Sequence, residues 1–584
     1  MNFLNFILYF FCCLSGVPEN QHATKELPLQ PPTYDFENPR QAIAGLNLET
    51  YTRFQANAPA GPAPLFSISG AWEYEGGKES ETLKSFVIPD FKNAKQVNLP
   101  HRILLPNRAM WYRSPIRTET PFIIHAAADD GAQVFLDGEQ LEQCAPGGFF
   151  EINTHSKNSR LVVRVLNNAM KGGLNKVDVF DKNDFEQYRV AIGEAEQRAV
   201  FFKKLLHLKK LPAGFENASG IDELEKQLEG LPYFLAGPVT DFCGADSVRI
   251  FLETTHDAPV RLYFQKTGAQ TLDSLTQIPK NGVVRFYLSR LEKGKNYTYQ
   301  VNQSDAWSEV FHFSLPPEVI DNVEFTIWAD SQNGLDTFQK ITALPEFLSA
   351  DFTIGVGDLV GYGARAAQWW DFFDVLHPAA QKMPVWLVGG NHDYDGYYDD
   401  LQAANFQKYR HTQPYFIKSY GRICFIGLDP NTTFPISFEK EQKEFFYRAV
   451  ESAAWKNADW RFVLMHQPPF SQGWEGYAGD ACVRELLEPV MESAKIDFVV
   501  SGHTHDYERL ERMYGRQKTT FLILGGAGGG LETPPLPLPT DAFSKMDTVI
   551  MRHHFGKFSA SSKKIFFRAY DTKGLILDAV ERRR

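Results

Sequence analysis

A chain of 584 residues is too long for one hydrophobic core, so about three or four domains are expected. Hydrophobic residues make up 43% and charged residues 22%, an ordinary globular mix. The net charge is -11 and the only basic run is the terminal ERRR, so nucleic acid is excluded as a partner.

The opening MNFLNFILYFFCCLSG is apolar and aromatic. It is too short to span a bilayer but fits the core of a secretory signal, so residues 1–18 are read as a signal peptide and the protein as exported to the periplasm, cell surface or medium. No Lys or Arg precedes the apolar run, which leaves a buried first strand as the alternative. Membrane attachment is expected only through lipidation of Cys12 or Cys13, and Tyr9, Phe10 and Phe11 make a poor small-residue recognition sequence for that. Residues 19–60 are polar and Pro-rich and read as a linker. The other cysteines, Cys144, Cys243, Cys424 and Cys482, lie far apart and specify no disulfide framework.

Residues 61–182 carry short alternating runs punctuated by Gly, Asp and Asn: LFSISGAWEYEG, ETLKSFVIPD (81–90), PFIIHAAADD, AQVFLDGEQL, RLVVRVLNN and KVDVFD. This pattern predicts a β-sandwich. The stretches AWEY (71–74), VNLPHR (97–102), MWYRSPI (110–116), DDGAQVFLDGEQL (129–141) and RLVVRVLNN (160–168) resemble the galactose-binding-like jelly roll that accompanies family-two glycoside hydrolases. The resemblance implies either packing against a neighbour or binding of a glycan, with packing favoured. Residues 183–234 begin with apolar positions at helical spacing and read as a helical spacer. Strands return over 235–318, where LSRLEKGKNYTYQVN resembles the corner of a fibronectin type III sandwich.

From 319 to 584 apolar strands alternate with helical segments, the pattern of an α/β layered domain. Five of its strands run into polar residues: ADSQ with Asp330 and Gln332, GD with Asp358, GNHD with Asn391, His392 and Asp393, VLMH with His466, and GHTH with His503 and His505. Ligands of α/β sheets gather at the carboxyl ends of strands. One such ending is ordinarily a satisfied buried polar group; five in one domain argue for a single site. Imidazole, carboxylate and amide oxygens without thiolate suit borderline or hard metals. The set exceeds the four ligands of a tetrahedral zinc and suits two metals roughly 3.5–4 Å apart.

The order ADSQ, GDL, GNHD, VLMH, GHTH resembles the calcineurin-like metallophosphoesterases. The extension GHTHDYER (502–509), the run GGAGG (525–529) and the closing FGKFSAS…KKIFFRAYDTKGLILD resemble the purple acid phosphatase branch. The resemblance covers about 235–584. It implies two N-terminal β-sandwiches followed by a four-layer α/β metallophosphoesterase domain. It implies that Asp358 bridges two metals of the Fe, Zn or Mn kind, with Asp330 and His505 on the first and Asn391, His466 and His503 on the second. His392 would face the site to stabilise phosphoryl oxygens or protonate the leaving group. Asp393 either orients His392 or caps a turn. Tyr507 and Arg509 would fix their loop.

Three positions depart from the purple branch. Gly361 stands where its iron-binding tyrosine would be, which argues against an iron–tyrosinate. QPPFSQGWEGYAGD, after His466, lacks the branch's extra histidine; Glu475 and Trp474 are no equivalents, and His411 is the remaining candidate. Gln332 either completes the first metal's shell through its amide oxygen or hydrogen-bonds the hydroxide. The expected reaction is hydrolysis of a phosphomonoester by a metal-activated hydroxide, with a phosphodiesterase and a surface carbohydrate-binding protein as alternatives.

Overall fold

The computed structural model describes residues 60–116, 121–156, 158–207, 232–304, 306–317, 322–410, 413–533 and 545–584. The expected signal peptide and linker, most of the spacer after His207, and His411 lie outside the described residues.

The first unit is a sandwich of two six-stranded sheets in which every pairing is antiparallel. Alternate residues of Arg160–Asn167, Arg108–Pro115 and Phe122–Ala128 point inward and close a core around Trp72, Met110, Val163 and Val177. The predicted strand at 81–90 does not form. Its apolar residues Phe86 and Ile88 instead cover the outer face of one sheet, against Trp111, Phe135 and Val162. The carbonyls of Thr82 and Leu83 accept from the side chains of Arg164 and Gln133 instead of from a neighbouring strand.

The helix Lys182–His207 follows, and the chain re-enters the described structure ahead of a second sandwich of three and five strands. Its predicted corner is closed by Tyr297, whose hydroxyl accepts the backbone N–H of Glu292 at 2.9 Å. This sandwich is fastened to the C-terminal domain through Glu253, which accepts from Trp370 Nε1 at 2.9 Å and Lys408 Nζ at 2.8 Å.

The C-terminal domain has four layers. Its six-stranded sheet runs Val385–Val388, Phe352–Val356, Val323–Trp328, His554–Ala560, Lys564–Asp571, Ile576–Arg583, with the first three strands parallel. Its seven-stranded sheet has a parallel centre of Ile423–Gly427, Trp460–Leu464, Phe498–Ser501 and Gln517–Leu524. The two sheets face each other across an aromatic core. Phe325 stacks on Phe352 and Phe558, with centroids 5.0 and 4.9 Å away, and meets Phe425 and Phe462 edge-on. Helices Leu335–Thr342 and Ala366–Ala380 cover one outer face; Lys440–Glu451 and Ala481–Leu487 cover the other. Strands buried on both faces explain the continuous apolar runs of the sequence. No described helix is long and apolar enough to cross a membrane, and Cys144, Cys243, Cys424 and Cys482 are free thiols.

Candidate metal centre

The parallel strands of both sheets end at one rim, and the polar residues found in the sequence meet there. Asp330 leaves Val323–Trp328, Asp358 leaves Phe352–Val356, Asn391 and His392 follow Val385–Val388, His466 follows Trp460–Leu464, and His503 and His505 follow Phe498–Ser501. Four residues of these turns are strained. Asp330, Gln332, Asp358 and His503 have φ of 61°, 31°, 51° and 76°, a region that side chains other than glycine adopt at a cost of order 1–3 kcal/mol each. Such outliers collect where geometry serves a site rather than stability. Glycines make the close approach feasible. A Cβ on Gly357 would lie 2.5 Å from His466 Nδ1, and one on Gly390 would lie 2.3 Å from Asp358 Oδ1.

Asp358 sits at the centre, 1% exposed. Its Oδ1 accepts the backbone N–H of His392 at 2.9 Å. Its Oδ2 accepts from Gln332 Nε2 at 2.8 Å and lies 3.1 Å from His466 Nε2. Burial alone would raise its pKa, but the imidazoles of His466 and His392 hold it below the carboxylate range. Asp330 is fully buried; burial pushes its pKa up, while the positive His466 opposes. Its two oxygens accept the backbone N–H of His503 at 3.2 and 3.0 Å, and its Oδ1 lies 3.6 Å from His505 Nε2.

His466 and His505 are oriented alike. The Nδ1 of His466 pairs with Val356 O at 2.9 Å and that of His505 with Gly530 O at 2.7 Å, so each turns Nε2 toward the carboxylates. Between two carboxylates, and despite burial, His466 is raised to about 10. Its Nε2 is buried and has no aligned hydrogen bond. Asp358, His466 and His503 bring three ligand atoms within 4.8 Å of one another. Paired carboxylates, converging imidazoles and an orphaned buried Nε2 are the chemistry of a cation site, and the donor set fits the metals expected from sequence.

Asp393 takes the second of its two expected roles, capping its turn, and does not orient His392. Its Oδ1 accepts from the backbone of Leu359 and Val360 at 2.9 and 3.3 Å, and its Oδ2 from Gly390 N at 2.8 Å, so it staples the two metal-ligand loops together. His392 is held instead by Gly361 O, 2.9 Å from its Nδ1, and by the ring of Tyr397 at 4.7 Å. Its Nε2 faces the cleft, 3.9 Å from Asp358 Oδ2. Gln332 offers a donor, not an oxygen: its Nε2 holds the carboxylate of Asp358. A Cβ at Gly361 would lie 1.9 Å from Asn333 Oδ1, so a tyrosine there would need the Asn333 side chain to move.

Tyr507 and Arg509 both bind Asp578 Oδ2, at 2.7 and 2.6 Å, and so anchor their loop as expected. Glu475 points away to Lys171, whereas Trp474 packs its ring 4.9 Å from that of His503. Three neighbours were not singled out as site residues: Tyr397 on His392; Gln467, whose Nε2 reaches Asn391 Oδ1 at 3.4 Å; and Asn168, which arrives from the first sandwich and touches His503.

The fold and the converging residues agree with the family comparison: residues 324–507 match the family model "Calcineurin-like phosphoesterase". The relatives found include proteins named purple acid phosphatase, some of them named probable inactive. Purple acid phosphatase 22 of Arabidopsis thaliana is 26% identical over 253 residues, 39% of this chain and 56% of its own. The phosphoenolpyruvate phosphatase of Allium cepa is 25% identical over 246 residues, 39% of this chain and 50% of its own. The chain thus spans about half the length of the curated relatives it matches. The solved purple acid phosphatase from yellow lupin (Lupinus luteus) seeds superposes with a TM-score of 0.52 at 16% identity, over 82% of this chain and 92% of that one, and so shares the fold.

Proposed function

We propose that this chain is an exported phosphoesterase that hydrolyses phosphomonoesters at a pair of metal ions. The observation that carries the reading is the convergence of Asp330, Asp358, Asn391, His466, His503 and His505 from five strand ends around a buried Nε2 with no aligned partner. Asp358 would bridge, Asp330 and His505 would hold one ion, and Asn391, His466 and His503 the other. When bound, such a pair supplies positive charge for the phosphoryl oxygens and an acidified water. Export rests on the apolar opening segment of the sequence.

The chain's own residues do the rest. Asp393, through three backbone N–H groups, keeps the Asp358 and Asn391 loops in register. His392 is fixed at Nδ1 by Gly361 O, so its Nε2 faces the cleft and, in the imidazolium form, donates to a phosphoryl oxygen or passes its proton to the leaving group. Its side chain is 29% exposed and so open to the cleft. A phosphodiester is the second reading, because the wall beside His503 is aromatic, built from Trp474 and Tyr477, where the purple branch would set a further histidine.

The test is metal analysis of the purified protein paired with hydrolysis of an aryl phosphate and a bis-aryl phosphate. Two ions per chain and turnover of the monoester, both lost in a folded Asp358→Asn variant, are expected. Fewer than two ions at saturation with no hydrolysis of either ester would refute the function.

A further inference from the structure

Among the described residues of the first sandwich, Asn168 touches a histidine of the candidate centre. Asn168 follows the strand Arg160–Asn167, is 2% exposed, and places Nδ2 3.1 Å from His503 Nε2. Its Oδ1 is buried and has no hydrogen-bond partner. The two other histidines read as ligands, His466 and His505, engage a carbonyl through Nδ1 and keep Nε2 for the carboxylates. His503 is the reverse: the nitrogen held from outside is Nε2, which leaves Nδ1.

We propose that Asn168 is the outer partner of His503 and that the first sandwich thereby completes the metal centre. A neutral imidazole carries one proton. If Nδ1 is to offer its lone pair to a cation, the proton sits on Nε2 and needs an acceptor. Turning the Asn168 amide by 180° supplies it: Oδ1 takes the place of Nδ2 and accepts Nε2–H, and the orphaned oxygen gains its donor. The two amide orientations are nearly isosteric. Asn168 is therefore a positioning residue acting through His503, and the inference rests on the dinuclear reading above.

The placement is built rather than incidental. The backbone N–H of Asn168 donates to Asp130 Oδ2 at 2.7 Å, and its carbonyl accepts from Asn107 N at 2.5 Å. Asn107 in turn pairs with the backbone of Ile436 in both directions, at 2.8 and 3.3 Å. Asp130 O accepts from Tyr398 N at 3.3 Å. Beneath these bonds, Ala109 and Leu166 of the sandwich pack with Tyr398, Phe434 and Ile436 of the C-terminal domain. The loop bearing Asn168 is thus fixed to the domain whose ligand it touches.

Outer partners of metal-bound histidines typically contribute about 10- to 100-fold in metal affinity. The test titrates the metal-free full chain with Zn²⁺ by calorimetry, comparing wild type with Asn168→Leu and Asn168→Asp. Wild type is expected to take two ions. Asn168→Leu, close in shape but without an acceptor, should bind one ion as before and the other about 10- to 100-fold more weakly. Asn168→Asp should restore both, since a carboxylate accepts the same N–H. A Leu variant that binds both ions as wild type does, or an Asp variant that falls as far as the Leu variant, overturns the proposal and leaves the dinuclear reading standing. A wild type that takes fewer than two ions overturns the dinuclear reading, and the proposal with it.

Discussion

Gln332 Nε2 donates to Asp358 Oδ2 at 2.8 Å, and the backbone N–H of Gln332 donates to Asp358 O at 3.1 Å. The two residues are tied twice, and both hold a positive φ. The amide therefore aims the central carboxylate rather than filling a coordination shell. Gln332→Ala is expected to keep the fold but to weaken metal retention by about 10-fold or more, the usual effect of losing an outer hydrogen bond on a ligand. Gln332→Glu should be worse, because a second carboxylate would face Asp358. Metal content after dialysis against a weak chelator reads both. Full retention in Gln332→Ala would show the amide to be incidental.

Asp393 separates structure from catalysis. With three backbone N–H groups dependent on it, Asp393→Ala leaves buried donors unpaired, at about 1–3 kcal/mol each. The expected outcome is a marked fall in melting temperature, with the pH profile of the remaining activity unchanged in shape. A variant of unaltered stability but shifted pH profile would return Asp393 to the role of orienting His392.

The site was largely legible because its residues lie next to strand ends, and a strand end is visible as the point where an apolar run breaks. Asp330, Asp358 and His466 are each of that kind. Partners were not legible. Whether Asp393 faces His392 or the backbone depends on rotamers that spacing does not encode. Asn168 stands 335 positions from His503, and LNN at a strand end reads equally as a turn. The segment 81–90 misled for a related reason: its alternation is real, but the alternate residues cover the outside of a sheet instead of pairing within it. Periodicity reports which side of a segment is buried, not what buries it.

Metal removal should cost stability as well as activity. Asp330 and Asp358 are buried beside one another, and in the metal-free chain the compensating charge comes chiefly from His466, 3.8 Å from Asp330 and 3.1 Å from Asp358. An ion that binds only the folded state stabilises it by about 2.7 kcal/mol at 100 times its Kd. For a domain of this size that is a rise of roughly 5–10 °C in melting temperature. Chelator-treated protein should melt lower by this amount and recover on addition of Zn²⁺ or Mn²⁺, but not Mg²⁺, whose preference is for oxygen ligands. Identical melting with and without these ions would count against the centre.

Asp480 predicts a pH dependence whose sign can be worked out. It is 5% exposed and its Oδ2 accepts the Tyr477 hydroxyl at 2.5 Å, behind the aromatic wall of His503. Burial raises its pKa to about 7, against the pull of the Tyr477 bond and of Arg484. In the unfolded chain an aspartate titrates near pH ~3.9. Between these values the folded state keeps a proton that the unfolded state has lost, so rising pH favours unfolding across the window. Below about pH 4 and above about pH 7 this residue adds no slope. Asp480→Asn retains an oxygen for Tyr477 and cannot ionise. In metal-free protein it should therefore match wild type near pH 4–5, exceed it at pH 8, and show a shallower decline of melting temperature between. An Asn variant that melts below wild type at pH 8 would mean that the ionised carboxylate, not the protonated acid, is what Tyr477 stabilises.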